Sequence, residues 1–281
     1  MLYISDLDGT LLQSNAELSP FSTHMLNQLI GQGVDFSIAT ARSIVSVQPI
    51  MDAVSVSLPI ICANGAYLAD ITTGQRSDLQ LLRNDLSQAL LSLVRKHSMD
   101  VFAVCYEEGS NQEKVYVEQG RDNPLLRRHF TPDRWANDER LQKIGQVESV
   151  ISTPLLNINV MSPLDQMLEF RKHMEQSLGE WVTGYLYEAE GEEGWFWMSV
   201  FHKGATKGKA IQRLANKLNI SSSDIVVFGD QINDFSMFET AEKAIAMGNA
   251  HPKLKQLATE VIGTNEEDSV VKYIASHEAM S

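Results

Sequence analysis

Residues Ile4-Ser5-Asp6-Leu7-Asp8-Gly9-Thr10 set two carboxylates one residue apart at the point where an apolar run stops. Leu2, Tyr3 and Ile4 read as a short buried strand, and side chains at i and i+2 of an extended segment point the same way. Asp6 and Asp8 are therefore expected to face one site. Gly9 permits a tight turn or a close backbone approach there. Taken alone, the same residues also describe a strand ending in a solvated acidic turn.

The segments that follow alternate strand and helix. Ser19-Pro20 reads as a cap and a first-turn proline, with Phe21, Met25 and Leu29 at helical spacing behind it. Val34 to Ala39 reads as a second strand delivering Thr40, residues 43 to 53 as a helix, and Pro59 to Cys62 as a third strand. Such an order predicts parallel pairing through right-handed crossovers, hence an α/β core. From about residue 80 the rhythm changes to strand pairs at 101–106 and 114–117, 155–161, and 181–186 with 195–201, and to helices around Leu86 to Val94 and at 164–178. Residues 119 to 148 show no pattern that fixes a boundary. The acids Glu188, Glu190, Glu192 and Glu193, between Gly191 and Gly194, read as a solvated hairpin turn. The α/β rhythm returns with a helix from Ala205, a strand at Ile225 to Phe228 and a helix over 233–241. The expected organisation is a Rossmann-like parallel-sheet core of residues 1–80 plus 202–281, with an α+β cap domain inserted at 81–201.

With 281 residues, 43% hydrophobic and 21% charged, the chain can bury a substantial core. Its formal net charge of -13 argues against a nucleic-acid or anionic-membrane surface. No apolar run approaches the ~20 residues of a membrane span. Cys62 and Cys105 both lie in apolar runs, so a disulfide framework is not expected. With no basic leader ahead of the first strand, a cytoplasmic location is expected; oligomeric state is not readable.

Three strand ends carry polar residues of one theme: Asp6 and Asp8, Thr40, and Asp230 with Asn233 and Asp234. In a parallel sheet these ends share one edge, where open α/β folds bind ligands. Four acids gathered there repel unless a cation joins them, and hard oxygen donors suit Mg2+. Asp6 and Asp230 are the candidate ligands, with Asp8 contributing its backbone carbonyl while its side chain serves proton transfer. Lys207 at a helix start, Thr40 before a helix and Asn64-Gly65 in a turn each have a plain reading as well: a surface lysine, a helix cap and a hairpin turn. Trp195 and Trp197 alternate with Phe196, so one face of that strand is expected in the core. Arg42 reads as a surface or ion-pair residue outside the site.

Together, Asp6-Leu7-Asp8-Gly9-Thr10, Thr40 after a second strand, Lys207 in Lys203-Gly204-Ala205-Thr206-Lys207-Gly208, and Gly229-Asp230-Gln231-Ile232-Asn233-Asp234 resemble the four ordered motifs of the haloacid dehalogenase-like (HAD) phosphatases. Within that superfamily the chain is similar to the Cof-like branch, whose α/β cap follows the third strand. Ala63 to Ala66, Ala246 to Ala250 and Thr264 to Asp268 match further segments, although Ser269 stands where a glycine is usual. The resemblance implies a Mg2+-dependent phosphatase of small phosphorylated metabolites such as sugar phosphates. Asp6 would be the nucleophile giving an aspartyl-phosphate, and Asp8 the acid and then the base. Thr40 and Lys207 would bind phosphate, Asp230 would hold the metal, and Asn233 and Asp234 would orient the metal shell and Lys207. The inserted domain would act as a lid. A phosphomutase and a non-catalytic phosphometabolite sensor are the alternatives on the same scaffold.

Overall fold

Strand β1 (Leu2–Ser5) is wholly buried, with parallel neighbours on both sides. The structure is a computed structural model describing residues 1–120, 122–131, 135, 138–189 and 191–279. Its contacts divide the chain into two compact units, Met1–Leu79 with Ala205–Ser281, and Gln80–Gly204. In the first unit β1 leads to helix α1 (Pro20–Gly31), whose Ser19 cap accepts a bond from Ser22 N at 2.9 Å. Strand β2 (Asp35–Ile38) and helix α2 (Ile44–Met51) follow. The third strand turns back through the hairpin expected at Asn64-Gly65. β3 (Ile60–Cys62) pairs antiparallel with β4 (Tyr67–Ala69), which pairs with β5 (Arg76–Ser77). Its parallel contact with the β2 line is a single bridge, Ala39 to Ile61. The turn at Ala63, Asn64 and Gly65, all at positive φ, folds the chain straight back along β3.

The second unit runs α3 (Asn84–Lys96), β6 (Asp100–Glu107), β7 (Gln112–Glu118), α4 (Pro124–His129), β8 (Leu141–Ile144), β9 (Leu155–Pro163), α5 (Leu164–Leu178), β10 (Val182–Glu188) and β11 (Trp195–His202). Its sheet has the order β10-β11-β9-β6-β7-β8, antiparallel except for the parallel pair β7 and β8. One core cluster includes Leu90 and Val94 of α3 and Phe170 and Met174 of α5, together with Val101, Val160 and Val200. Phe196 packs against that cluster, whereas Trp195 and Trp197 pack against a second one around Phe102, Val117, Leu126 and Met161. The alternation therefore puts both faces of β11 to use. In the unpatterned stretch, buried Asn123 accepts bonds from Leu125 N and Leu126 N and donates to Asp100, which starts α4. Among the acids of the β10–β11 turn, Glu190 lies outside the described residues; Ala189 N donates to Trp195 O across the turn.

The chain then returns to the first unit with α6 (Lys207–Leu218), β12 (Ile225–Gly229), α7 (Phe235–Phe238), β13 (Lys243–Ala246), α8 (Pro252–Leu257), β14 (Glu260–Val261) and α9 (Ser269–Glu278). The parallel sheet has the order β14-β13-β12-β1-β2, so the carboxyl ends of β12, β1 and β2 lie side by side. The helix expected over 233–241 is shorter. A 3-10 turn at Ile232–Asp234 precedes α7, because the Asp234 carboxylate turns back onto the backbone and closes a capping box with Gln231. Before Ser269, Asp268 takes the left-handed conformation, and Ser269 Oγ closes the turn on Thr264 O at 2.8 Å. Cys62 and Cys105 are buried and form no disulfide with each other. Among the described residues no helix is long and apolar enough to cross a membrane.

One close approach fixes α6 against the segment after β12. A methyl group on Gly208 would overlap the backbone carbonyl oxygen of Ser236, while Gly208 N donates to Ser236 Oγ at 3.0 Å. Backbone cannot yield as a flexible side chain does. Gly208→Ala is therefore expected to lower stability by about 2 kcal/mol in urea unfolding; unchanged stability would contradict this packing.

Candidate active site

Asp6 follows the last residue of β1, and its N–H donates to Phe228 O of β12 at 3.0 Å. Its Oδ1 accepts a bond from Leu7 N at 2.7 Å, and only 5% of the residue is exposed. The two acids are not carried by one extended strand. β1 ends at Ser5, and residues Leu7–Leu11 form one wide helical turn interrupted at Asp8 and at Gly9, whose φ is 69°. Asp8 consequently sits in the turn with its side chain about half exposed, 51%, where both its oxygens meet the Arg42 guanidinium at 2.8 and 2.5 Å. Gly9 is required here, since any Cβ would collide with the Asp230 carboxylate.

Lys207 is fully buried at the first position of α6, behind the Thr206 cap. A helix start is electrostatically wrong for a cation. Two carboxylates offset this: Nζ lies 2.9 Å from Asp6 Oδ1 and 2.6 Å from Asp234 Oδ1. The other Asp234 oxygen accepts Asp230 N and Gln231 N, both at 2.9 Å. Asp230 Oδ1 accepts the Thr10 hydroxyl at 2.9 Å. Thr40 is buried; its Oγ1 accepts Arg42 N at 3.1 Å and its carbonyl accepts Asn64 N at 2.9 Å. Asn233 Nδ2 donates to Asn64 Oδ1 at 3.2 Å.

The structure thus joins Asp6, Lys207, Asp230 and Asp234 directly, and Thr40, Asn64 and Asn233 in a second set of bonds. Three further residues belong to this network. Thr10 bonds Asp230, Asn249 Nδ2 donates to Gly9 O at 2.7 Å, and Arg42 holds Asp8. Arg42 is an ion-pair residue as its sequence context suggested, but its partner is one of the two acids that organise the motif. No local signal marks Thr10 or Asn249 beyond their places in the matched segments.

Oxygens of Asp6, Asp230 and Asp234 lie within 4.8 Å of one another and can hold a metal ion; the Asp8 carboxylate is not in that group. Burial first, then the charge of Asp234, push the Asp6 carboxyl well above its ordinary range, against the opposing pull of Lys207. Burial and Asp234 likewise push Asp230 up to about 6. Burial alone would lower the Lys207 ammonium, yet Asp234 and Asp6 outweigh it and hold its pKa above the usual value. Three buried carboxylates face one buried ammonium, and an oxygen-only cluster with surplus negative charge fits a hard divalent cation.

A family model described as haloacid dehalogenase-like hydrolase matches residues 3–274. Pyridoxal phosphate phosphatase YbhA of Escherichia coli (strain K12) is 29% identical over 290 residues, covering 97% of this chain and 96% of its own length. The 5-amino-6-(5-phospho-D-ribitylamino)uracil phosphatase YwtE of Bacillus subtilis (strain 168) is 27% identical over 288 residues, covering 96% and 95%. The solved structure of a haloacid dehalogenase-like hydrolase from B. subtilis superposes with a TM-score of 0.77 at 26% identity, covering 96% of this chain and 98% of that one.

Asp230 generates a pH prediction for the metal-free protein. Its folded-state value of about 6 exceeds the ordinary 3.8, so the folded chain holds the proton more tightly. The corresponding stability is present below the ordinary value and is lost as pH rises through about 6. At about pH 7, Asp230→Asn is expected to be more stable than the wild type by roughly 1–3 kcal/mol in chelator and to lose the stabilisation that a divalent cation gives the wild type. Thermal unfolding of both proteins across that pH range checks this; identical pH slopes for the two would contradict it.

Proposed function

Since the chain belongs to the haloacid dehalogenase-like hydrolase family, we propose that it is a Mg2+-dependent phosphatase of small phosphomonoesters that works through an aspartyl-phosphate on Asp6. The observation that carries this reading is the asymmetric anchoring of Asp6. Its Oδ1 receives both Leu7 N and Lys207 Nζ, while among the described residues Oδ2 receives no hydrogen bond. One oxygen fixes the carboxylate and the other is left to react.

In the first step an Asp6 oxygen attacks phosphorus, the ester bond breaks, and the leaving alkoxide takes a proton from Asp8. In the second, Asp8 removes a proton from water as the water oxygen attacks phosphorus, the Asp6–phosphorus bond breaks, and inorganic phosphate leaves. Asp8 is exposed enough to serve both steps, its acid form requiring that one of its oxygens leave Arg42 and take up a proton before the ester bond breaks. Thr40 accepts its bond from Arg42 N and keeps its hydroxyl proton for a phosphate oxygen. Lys207 uses two of its three N–H groups on Asp6 and Asp234, leaving one for the phosphate. These are the positioning and charge-stabilising roles that dominate phosphoryl transfer. Asp6, Asp230 and the backbone carbonyl of Asp8 would hold Mg2+, which when bound neutralises negative charge on the phosphate. Asp234, whose oxygens already accept Lys207, Asp230 N and Gln231 N, is a positioning residue for both partners. Asn233 donates to Asn64.

Two relatives carry the names of phosphatases for pyridoxal phosphate and for a phosphoribitylamino uracil. Their names support testing phosphorylated nitrogen heterocycles beside sugar phosphates. A phosphate-ester panel assayed with and without Mg2+ is expected to show metal-dependent release of inorganic phosphate that Asp6→Asn abolishes. Undiminished release by that variant would sink the reading. Asp8→Asn is expected to slow hydrolysis of alkyl phosphates by about 10²–10⁴-fold. Its effect should be much smaller on the first step with an aryl phosphate, whose leaving group needs no proton; an equal loss of burst phase on both would contradict the acid role.

A further inference from the structure

The second unit holds a cluster of nitrogen and oxygen donors unrelated to the carboxylate site. His97 is the C-cap of α3, and Glu169 and His173 stand four residues apart on α5, so both project from one side of that helix. His97 Nε2 lies 2.9 Å from His173 Nδ1, and one donor atom from each of the three side chains falls within 4.8 Å of the others. The position of His97 is constrained from two sides. Its carbonyl accepts Gln166 Nε2 at 2.5 Å, and its ring meets the buried ring of Phe170 edge-on, with centroids 5.8 Å apart. Both imidazoles are half-buried and Glu169 is exposed, so the donors open to solvent from a firm base.

We propose that His97, Glu169 and His173 form a binding site for a zinc-class transition-metal ion, which joins the end of α3 to the middle of α5. Two imidazole nitrogens and one carboxylate favour such an ion over the hard cations that suit oxygen-only sites. The geometry needs little change. Zn–N bonds of about 2.0–2.1 Å at a tetrahedral angle put two nitrogens about 3.3 Å apart, a small opening of the present pair. Without metal, one proton lies between the two nitrogens. When both rings are neutral, that proton moves on binding to the far nitrogen of the ring that carries it, and both facing lone pairs turn to the metal. The exposed Glu169 carboxylate closes onto the third position and water completes the fourth. The ion would cross-link residues 76 apart in sequence and stabilise the inserted unit by mass action.

The site stands on the second unit alone and does not depend on the phosphatase reading. The test is equilibrium dialysis of the full chain against Zn2+ in a constant excess of Mg2+, for the wild type, Glu169→Gln and Glu169→Gln/His173→Asn. Wild type is expected to retain one zinc per chain more than the double variant. Glu169→Gln, a change at an exposed position, is expected to weaken that zinc by at least about tenfold, since even outer partners of a metal site cost that much. Co2+ in place of Zn2+ should give the absorption of a tetrahedral site in the wild type and lose it in the double variant. Mg2+-dependent phosphate release should be the same in all three proteins. Equal zinc uptake by wild type and double variant, or uptake removed by Asp230→Asn instead, would overturn the proposal.

Discussion

A buried ammonium between two buried carboxylates is the interaction on which the first unit's chemistry depends. Lys207 reaches Asp6 at the end of β1 and Asp234 after β12, so one side chain ties adjacent parallel strands at their carboxyl ends. Removing one member of such a group leaves an uncompensated buried charge, which typically costs about 3–5 kcal/mol. The same arrangement leaves the site one cation short, because Asp230 adds a third buried carboxylate. Structure and reactivity share one cause: charges that are expensive to bury are held in place by the sheet and by Gly208, which lets α6 approach closely enough to present Lys207.

Around that centre the polar groups form a graded series. Asp234 is wholly enclosed and all its bonds are to the protein, Asp6 keeps one oxygen open, and Asp8 stands half exposed beside Arg42. This ordering is what the proposed two-step displacement asks of Asp234 as positioning group, Asp6 as nucleophile and Asp8 as proton carrier. Two carboxylates that are neighbours in sequence obtain different environments because the chain turns between them. The turn at Gly9 lets Asp230 pack against the backbone and swings Asp8 outward.

Much of this is legible in the sequence. The apolar runs ending in Asp6, Thr40 and Asp230 marked strand ends, and the parallel order of β12, β1 and β2 brings them to one edge. What escaped was set by distant contacts. The Arg42–Asp8 pair spans 34 residues and the Thr10–Asp230 bond 220, and neither leaves a periodic trace. The turn after β3 is legible in Asn64-Gly65, but the positive φ of Ala63 beside them carries no signal in the sequence. Likewise His97 caps α3 while His173 lies on α5, and the long-range contacts of His97 with Gln166 and Phe170 leave no local trace.

The central claim is that Asp6 itself carries the phosphoryl group. Acid quenching during turnover of a phosphate-labelled substrate, followed by peptide mapping, tests it most directly. A hydroxylamine-sensitive label on the peptide containing Asp6, absent when substrate has been exhausted, is the predicted result. Turnover with no protein-bound label, or a label on any other residue, would contradict it.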